Sequence, residues 1–342
     1  MSRAWRVRWW TAGRLALVIG AAGVVAARSV AGSTTVTRPA TPDTATDLAL
    51  TRAAGWLDTL SVDCATLEIH GVKGKKKLAE ILDAEWMLWR HWHDPAIRAR
   101  ILGRVRDLTA QTSDPAYHDM TTCSERELRE ESMSYLRVAW LMERFGLDTR
   151  DYRREIAAAR PRLETHLVTR GVWQRAEFER YFAAFGLESS GPIANGAPAG
   201  GVIARRVPPA GFDLDLAYDL THEVFLRCED PAGGRPVWGS GDLDYLHRTL
   251  PELARRALAN GDPDLGAELL TAISETGSRA DPVFVDGLRE LIAAQNPDGT
   301  WGRYDRGRAL YGTWVEQREY LHTTMVAVEA LVSADGGVVG RP

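Results

Sequence analysis

The stretch from Asp213 to Cys228 is where residues able to do chemistry lie closest together. Asp215 and Asp219 precede His222 by seven and three residues, so on a helix all three share one face. A carboxylate and an imidazole so spaced can hold a divalent metal, or form an acid–base pair in which the acid orients the ring. Tyr218 and Phe225 lie on the adjoining stripe and predict a cavity wall, whereas a solvent-facing, acid-rich helix start is the competing reading. Two further histidines are candidates to meet that face. His322 falls in the first turn of the last helical segment, with Val326 and Glu329 below it. His118 stands between Tyr117 and Asp119, in a turn leading to a segment that carries Ser134, Tyr135 and Arg137. Three imidazoles with an open position suit zinc as a Lewis acid or water activator, and iron next. The expected metal ligands are therefore His118, His222 and His322. Asp219, Asp215 and Tyr218 are the expected catalytic groups, with Asp219 as ligand or supporting acid, and Trp301, Tyr320 and Phe225 are expected to bind substrate. A satisfied buried His322 and a surface His118 beside a capping Asp119 are the alternatives. His247, next to Tyr245 and Asp244, is a fourth candidate, while His91, His93 and His166 read as interhelical or exposed. The sequence has no pair of histidines four apart around a catalytic Glu, no paired Cys motif, phosphate loop, dinucleotide fingerprint or nucleophile elbow. Kinases, dehydrogenases and serine hydrolases of the usual folds are set aside, and any metal site must assemble from separate helices.

The elements that would position these groups read as helices. Apolar residues recur at helical spacing over roughly 46–61, 76–93, 95–111, 125–145, 149–168, 172–186, 212–228, 241–260, 263–276, 282–295 and 317–333, with no strand-like alternation. Asp94-Pro95, Asp262-Pro263 and Asp281-Pro282 each pair an N-cap with a first-turn proline, and Gly146 and Gly186 sit where helices should stop. Short connections imply antiparallel neighbours, and the lack of a fixed repeat disfavours an open solenoid. The predicted fold is all-α, antiparallel hairpins closed into an α/α toroid of about 11–12 helices. Residues 189–211 hold too many glycines and prolines for a simple turn and are expected to be either a lid over the cavity or an inert insertion.

Composition bounds the rest. A formal net charge of −4 offers no long-range attraction to a polyanion, so no nucleic acid is expected as partner. A small-molecule or peptide ligand is. Residues 1–31 read as a signal peptide or N-terminal anchor: Arg3, Arg6, Arg8 and Arg14 precede an apolar run from Leu15 to Ala27, then small residues. Any membrane contact would come through that segment if it stays uncleaved, with Trp5, Trp9 and Trp10 at the interface. Residues 32–45 read as a flexible linker, 46–335 as one domain and 336–342 as a tail. Cys64, Cys123 and Cys228 are odd in number and widely spaced, which predicts no disulfide framework. They also keep open a cytoplasmic location, should the true start lie later in the chain.

Some segments resemble known families. Gly287, Leu291, Gln295, Gly299 and Trp301, in GLRELIAAQNPDGTWG, resemble the Gln and Trp repeat motif of terpenoid cyclases, whose fold is the α/α toroid. The family's aromatic position is Glu290 and its basic one Asp286 here, and the motif occurs once. The resemblance implies the fold. It does not imply cyclisation, because Asp213 and Asp215 give only Asp-Leu-Asp-Leu, and Asp63 with Cys64 only a fragment of an acid motif. Tyr320, Leu321, His322, Thr323 and Thr324 are similar to a stretch of protein prenyltransferase β subunits in which the histidine binds zinc. The Asp and Cys ligands of those proteins have no counterpart, so His322 alone carries over. Ala217 to Phe225, AYDLTHEVF, resembles bacterial all-α proteins grouped as a domain of unknown function.

The expected function is an exported metal-dependent enzyme of hydrolase or lyase type, with a central-cavity site on a helical toroid. One alternative is a noncatalytic exported binding protein for an apolar ligand or peptide. Another is a glycan-active α/α barrel enzyme using Asp215, Asp219 and Glu223.

Overall fold

The computed structural model describes residues 42–62, 74–187, 200–228, 238–239, 241–302 and 320–334. Among these the chain forms α-helices and short 3-10 turns, with no strand. The helices are α1 (Pro42–Leu57), α2 (Gly74–His91), α3 (Pro95–Ala110), α4 (Glu125–Arg144), α5 (Arg150–Leu167), α6 (Val172–Ala184), α7 (Val202–Arg205), α8 (Leu214–Cys228), α9 (Asp242–Ala259), α10 (Pro263–Glu275), α11 (Pro282–Ala293) and α12 (Leu321–Ala334). None of them is long and apolar enough to cross a membrane. Residues 1–31, on which the export reading rests, the first ten linker residues and the tail lie outside the described residues, as does Cys64.

Local chemistry sets the boundaries. Asp94 accepts from the amides of Ala96 and Ile97, Asp262 from that of Leu265 and Asp281 from that of Val283, each just ahead of a proline. A cap satisfies amides that the helix leaves without partners, and the proline lacks the amide that would be wasted there. Ser124 and Glu127 close α4 with a reciprocal capping box. Gly146 and Gly186 both stop helices at φ +72°. The first helix starts at Pro42, earlier than apolar periodicity indicates, with that proline in its first turn. It also ends earlier, at Leu57.

Pairwise packing defines which helices are neighbours. α2 packs on α4 and α12, α4 on α6, α6 on α8, α8 on α10, and α10 on α12, while α9 and α11 flank α10 and α1 lies against α2, α11 and α12. The faces they share are largely apolar, with Leu78, Ile81, Leu82, Leu136, Leu220, Leu269, Ile273 and Val328 fully buried. Tryptophans serve this packing as well: Trp86 stacks on Trp89 with ring centroids 5.3 Å apart, and the Arg144 guanidinium lies 3.9 Å over Trp140.

One expectation changes here, and part of another segment can be placed. The second half of the segment 189–211 is a fastened strap. Residues 202–205 form α7, the Glu223 carboxylate accepts from the amides of Val202 and Ile203 at 2.6 and 3.0 Å, and the Tyr245 hydroxyl donates to the Val207 carbonyl at 2.9 Å. Residues 188–199 lie outside the described residues. Trp301 and Tyr320 are both fully buried. The Trp301 indole donates to the Leu291 carbonyl at 2.6 Å, closing the end of α11, and Tyr320 packs so tightly on Gly302 that a Cβ there would meet its ring at 2.2 Å. Both side chains belong to the core, which leaves no face of either for a substrate. Gln295, of the same motif, donates to the Ala49 carbonyl on α1 at 2.8 Å.

Candidate functional site

The second residue of α12 is His322, and its ring is held from both sides by acids. Nδ1 lies 3.1 Å from Glu80 Oε1 on α2, so it donates there. Nε2 faces Glu268 Oε1 at 3.5 Å and Asp264 Oδ1 at 3.9 Å, both on α10. Asp264 and Glu268 are four residues apart, hence on one helix face. Each acid is oriented in turn. Tyr218 donates its hydroxyl to Asp264 Oδ1 at 2.7 Å, Thr323 donates to Oδ2 at 2.8 Å, and Thr221 donates to Glu268 Oε2 at 2.6 Å. One ligand atom from each of Asp264, Glu268 and His322 lies within 4.8 Å of the others.

The electrostatics follow from burial of three acids around one imidazole. Burial alone would push the His322 ring down, but Asp264, Glu268 and Glu80 outweigh it and raise the ring to about 10. Burial alone would push Glu80 up, yet Lys76, His322 and Arg137 hold it at about 2. Glu268 likewise stays below the usual carboxylate range against its burial, through His222, His322 and the Thr221 hydrogen bond. Glu80 and Glu268 are thus held charged beside the His322 cation, with Lys76 3.5 Å from Glu80. Two carboxylates and an imidazole are a donor set for a divalent cation, and Glu80 behind the imidazole is the outer carboxylate that such a ligand needs to fix its ring.

The residues singled out from sequence land in different places. His322 is in the group. Tyr218 serves it by holding Asp264. His222 comes close enough for its charge to act on Glu268, but it is not among the three converging ligands. Its Nδ1 lies 2.7 Å from the Tyr218 carbonyl, and its ring lies flat on Trp173 with centroids 4.1 Å apart. Phe225 meets that ring edge-on at 6.1 Å. Asp219 accepts from the Trp173 indole at 2.9 Å, and burial pushes its carboxyl up. Asp215 is exposed in the first turn of α8. His118 belongs to another cluster: it sits 2.5 Å from the Tyr135 hydroxyl, among the rings of Tyr117 and Tyr152, beside the buried Lys75 that pairs with Asp119 and Glu131. Among the described residues the three histidines do not converge, and the side chains that do are His322, Asp264 and Glu268. His247 bonds the Thr276 carbonyl at 3.0 Å, a structural role.

Glu80, Asp264 and Glu268 were not singled out. A signal existed: Glu80 and Glu268 interrupt the apolar runs Leu78–Leu82 and Leu265–Ile273, and a charge in such a run is costly unless it is paired.

Comparison with curated proteins gives no match, and comparison with solved structures gives none either. A family model does match, over residues 25–332, which takes in every helix from α1 to nearly the end of α12. Its description is "Domain of unknown function (DUF6895)", and this chain belongs to that family.

Proposed function

We propose that this protein is a metal-dependent enzyme of hydrolase or lyase type, whose divalent cation is held by Asp264, Glu268 and His322. The observation that carries this reading is the convergence of those three ligand atoms within 4.8 Å, with hydroxyls and Glu80 fixing each ligand from behind. An α/α toroid is the architecture proposed around it. The neighbour relations α2–α4, α4–α6, α6–α8, α8–α10, α10–α12 and α12–α2 support an inner ring, and every group of the site stands on one of those helices. The donor set is harder than three imidazoles, which moves the preference from zinc toward iron or manganese. A cation here would act as Lewis acid toward an oxygen of the substrate or of water. Binding would displace the His322 proton, so metal uptake releases acid.

The test is elemental analysis of untagged protein after separate incubation with Zn²⁺, Mn²⁺ and anaerobic Fe²⁺. About one equivalent is expected in wild type, and a large loss in His322→Ala and Glu268→Gln with the helical circular dichroism retained. Folded wild-type protein that takes up none of the three would overturn the proposal.

A further inference from the structure

One face of α2 carries more than the acid that steers His322. Lys76, Glu80 and Asp83 lie at i, i+4 and i+7 and share that face. Glu80 reaches His322 on α12, and Asp83 reaches Arg137 on α4, whose Nε lies 2.5 Å from Asp83 Oδ2. The Arg137 charge also acts on Glu80, so the guanidinium and the imidazole are joined through two acids one helical turn apart. The Asp83–Arg137 pair opens to solvent on the arginine side, with the Asp83 side chain 5 % exposed and that of Arg137 30 %. Lys76, 3.5 Å from Glu80, is 31 % exposed as well. Replacing a buried ion pair by apolar residues of similar volume is often neutral or stabilising, so packing alone does not account for an acid and an arginine here. A guanidinium held at Nε by a buried acid keeps its planar fork in one orientation, and such a fork matches two oxygens of a carboxylate or phosphate.

We infer that Arg137 binds an oxyanion of the substrate, a carboxylate or phosphate group, while another oxygen of the same molecule meets the cation held by Asp264, Glu268 and His322. Asp83 holds the guanidinium in place, and Lys76 adds positive charge beside Glu80. This assignment rests on the metal-centre reading and gives it a substrate class. The substrate is an anion whose acidic group lies close to the oxygen that reacts, which sets aside neutral glycans and apolar ligands.

The test uses full-length protein loaded with zinc, freed of excess metal and titrated calorimetrically with inorganic phosphate and, separately, with succinate at constant ionic strength. At least one of the two is expected to bind wild type, and the tighter one names the oxyanion. Arg137→Gln should weaken that binding roughly tenfold or more, the loss expected for a charge-assisted bond. Arg137→Lys keeps the charge without the fork and should fall between. Because Arg137→Gln leaves Asp83 buried beside a neutral partner, Asp83→Asn with Arg137→Gln serves as a second variant, in which both charges are gone and the same loss is expected. All three should keep the wild-type zinc equivalent and helical circular dichroism. Failure of both anions to bind zinc-loaded wild type would overturn the inference, as would binding undiminished in the folded Arg137→Gln or double variant. Loss of zinc from those folded variants would tie Arg137 to the metal ligands instead, overturning the inference and sparing the metal reading. Folded wild type that takes up no zinc would remove both, so the metal count tells the two failures apart.

Discussion

Glu80 is the residue on which the orientation of His322 depends. Its carboxylate accepts from Nδ1 and is itself within 3.5 Å of Lys76, so the ring is steered toward α10 by a charge that is buried and partnered. Outer carboxylates of this kind commonly change metal affinity by about 10–100-fold when altered. Glu80→Gln keeps the acceptor but removes the charge, and zinc titration should show a loss in that range with the fold intact. An unchanged affinity would reduce Glu80 to packing. Lys75 tests a different point. Its ammonium is nearly as buried, shared between Asp119 and Glu131, and the acids outweigh its burial and raise it above the ordinary lysine value. Removing one partner of a buried pair leaves the other uncompensated, at a cost of roughly 3–5 kcal/mol. Lys75→Ala should therefore lower the urea midpoint strongly, and Lys75→Ala with Glu131→Gln should recover part of it.

At the scale of elements, α2 and α3 meet through Glu85 and Arg104, whose Nε donates to the carboxylate at 3.1 Å. Burial outweighs Arg104 and pushes Glu85 from its ordinary 4.5 up to about 7. Between those values the folded chain holds a proton that the unfolded chain has released. Stability therefore falls as pH rises through that window, and the loss is complete above it. Glu85→Gln removes this slope. Relative to wild type, its stability should improve between pH 4.5 and 8 by up to roughly 3 kcal/mol, read from urea unfolding at both ends. The contrast with the caps shows what a sequence makes legible. Asp262 bonds an amide three residues away, so its role follows from a dipeptide, and Asp262→Ala should cost about 1 kcal/mol in the same measurement. Glu85 and Arg104 are nineteen residues apart, and no periodicity pairs them.

The same limit governs the whole molecule. Helix class and nearly all boundaries were legible because they rest on spacing and local caps. His322, the one sequence candidate in the acid and imidazole group, could be singled out because it opens a helix in polar company. Which acids meet it was not, since Glu80 is separated from it by 242 residues. Trp301 was misread for a related reason: an aromatic beside a turn looks like a ligand platform until the Leu291 carbonyl it closes is known. The Gln295 motif carries the long-range join, binding α1 to the turn after α11, and it tolerates little change. Gly299 holds φ +97°, and a Cβ there would come within 2.2 Å of the Arg52 carbonyl. Strain and clash together predict a loss of about 3 kcal/mol or more for Gly299→Ala, seen as a lower melting temperature.

The span between Glu80 and His322 also sets a timetable. During synthesis the acids of α2 and α10 leave the ribosome before the imidazole that completes their group, and the partial set lacks its nitrogen donor. On the metal-centre reading proposed above, cation capture would be an end point of folding, reached when α12 docks between α2 and α10. Contacts so distant in sequence form slowly. A chain stalled or clipped before residue 321 would carry most of the helices and lack the imidazole of the proposed site.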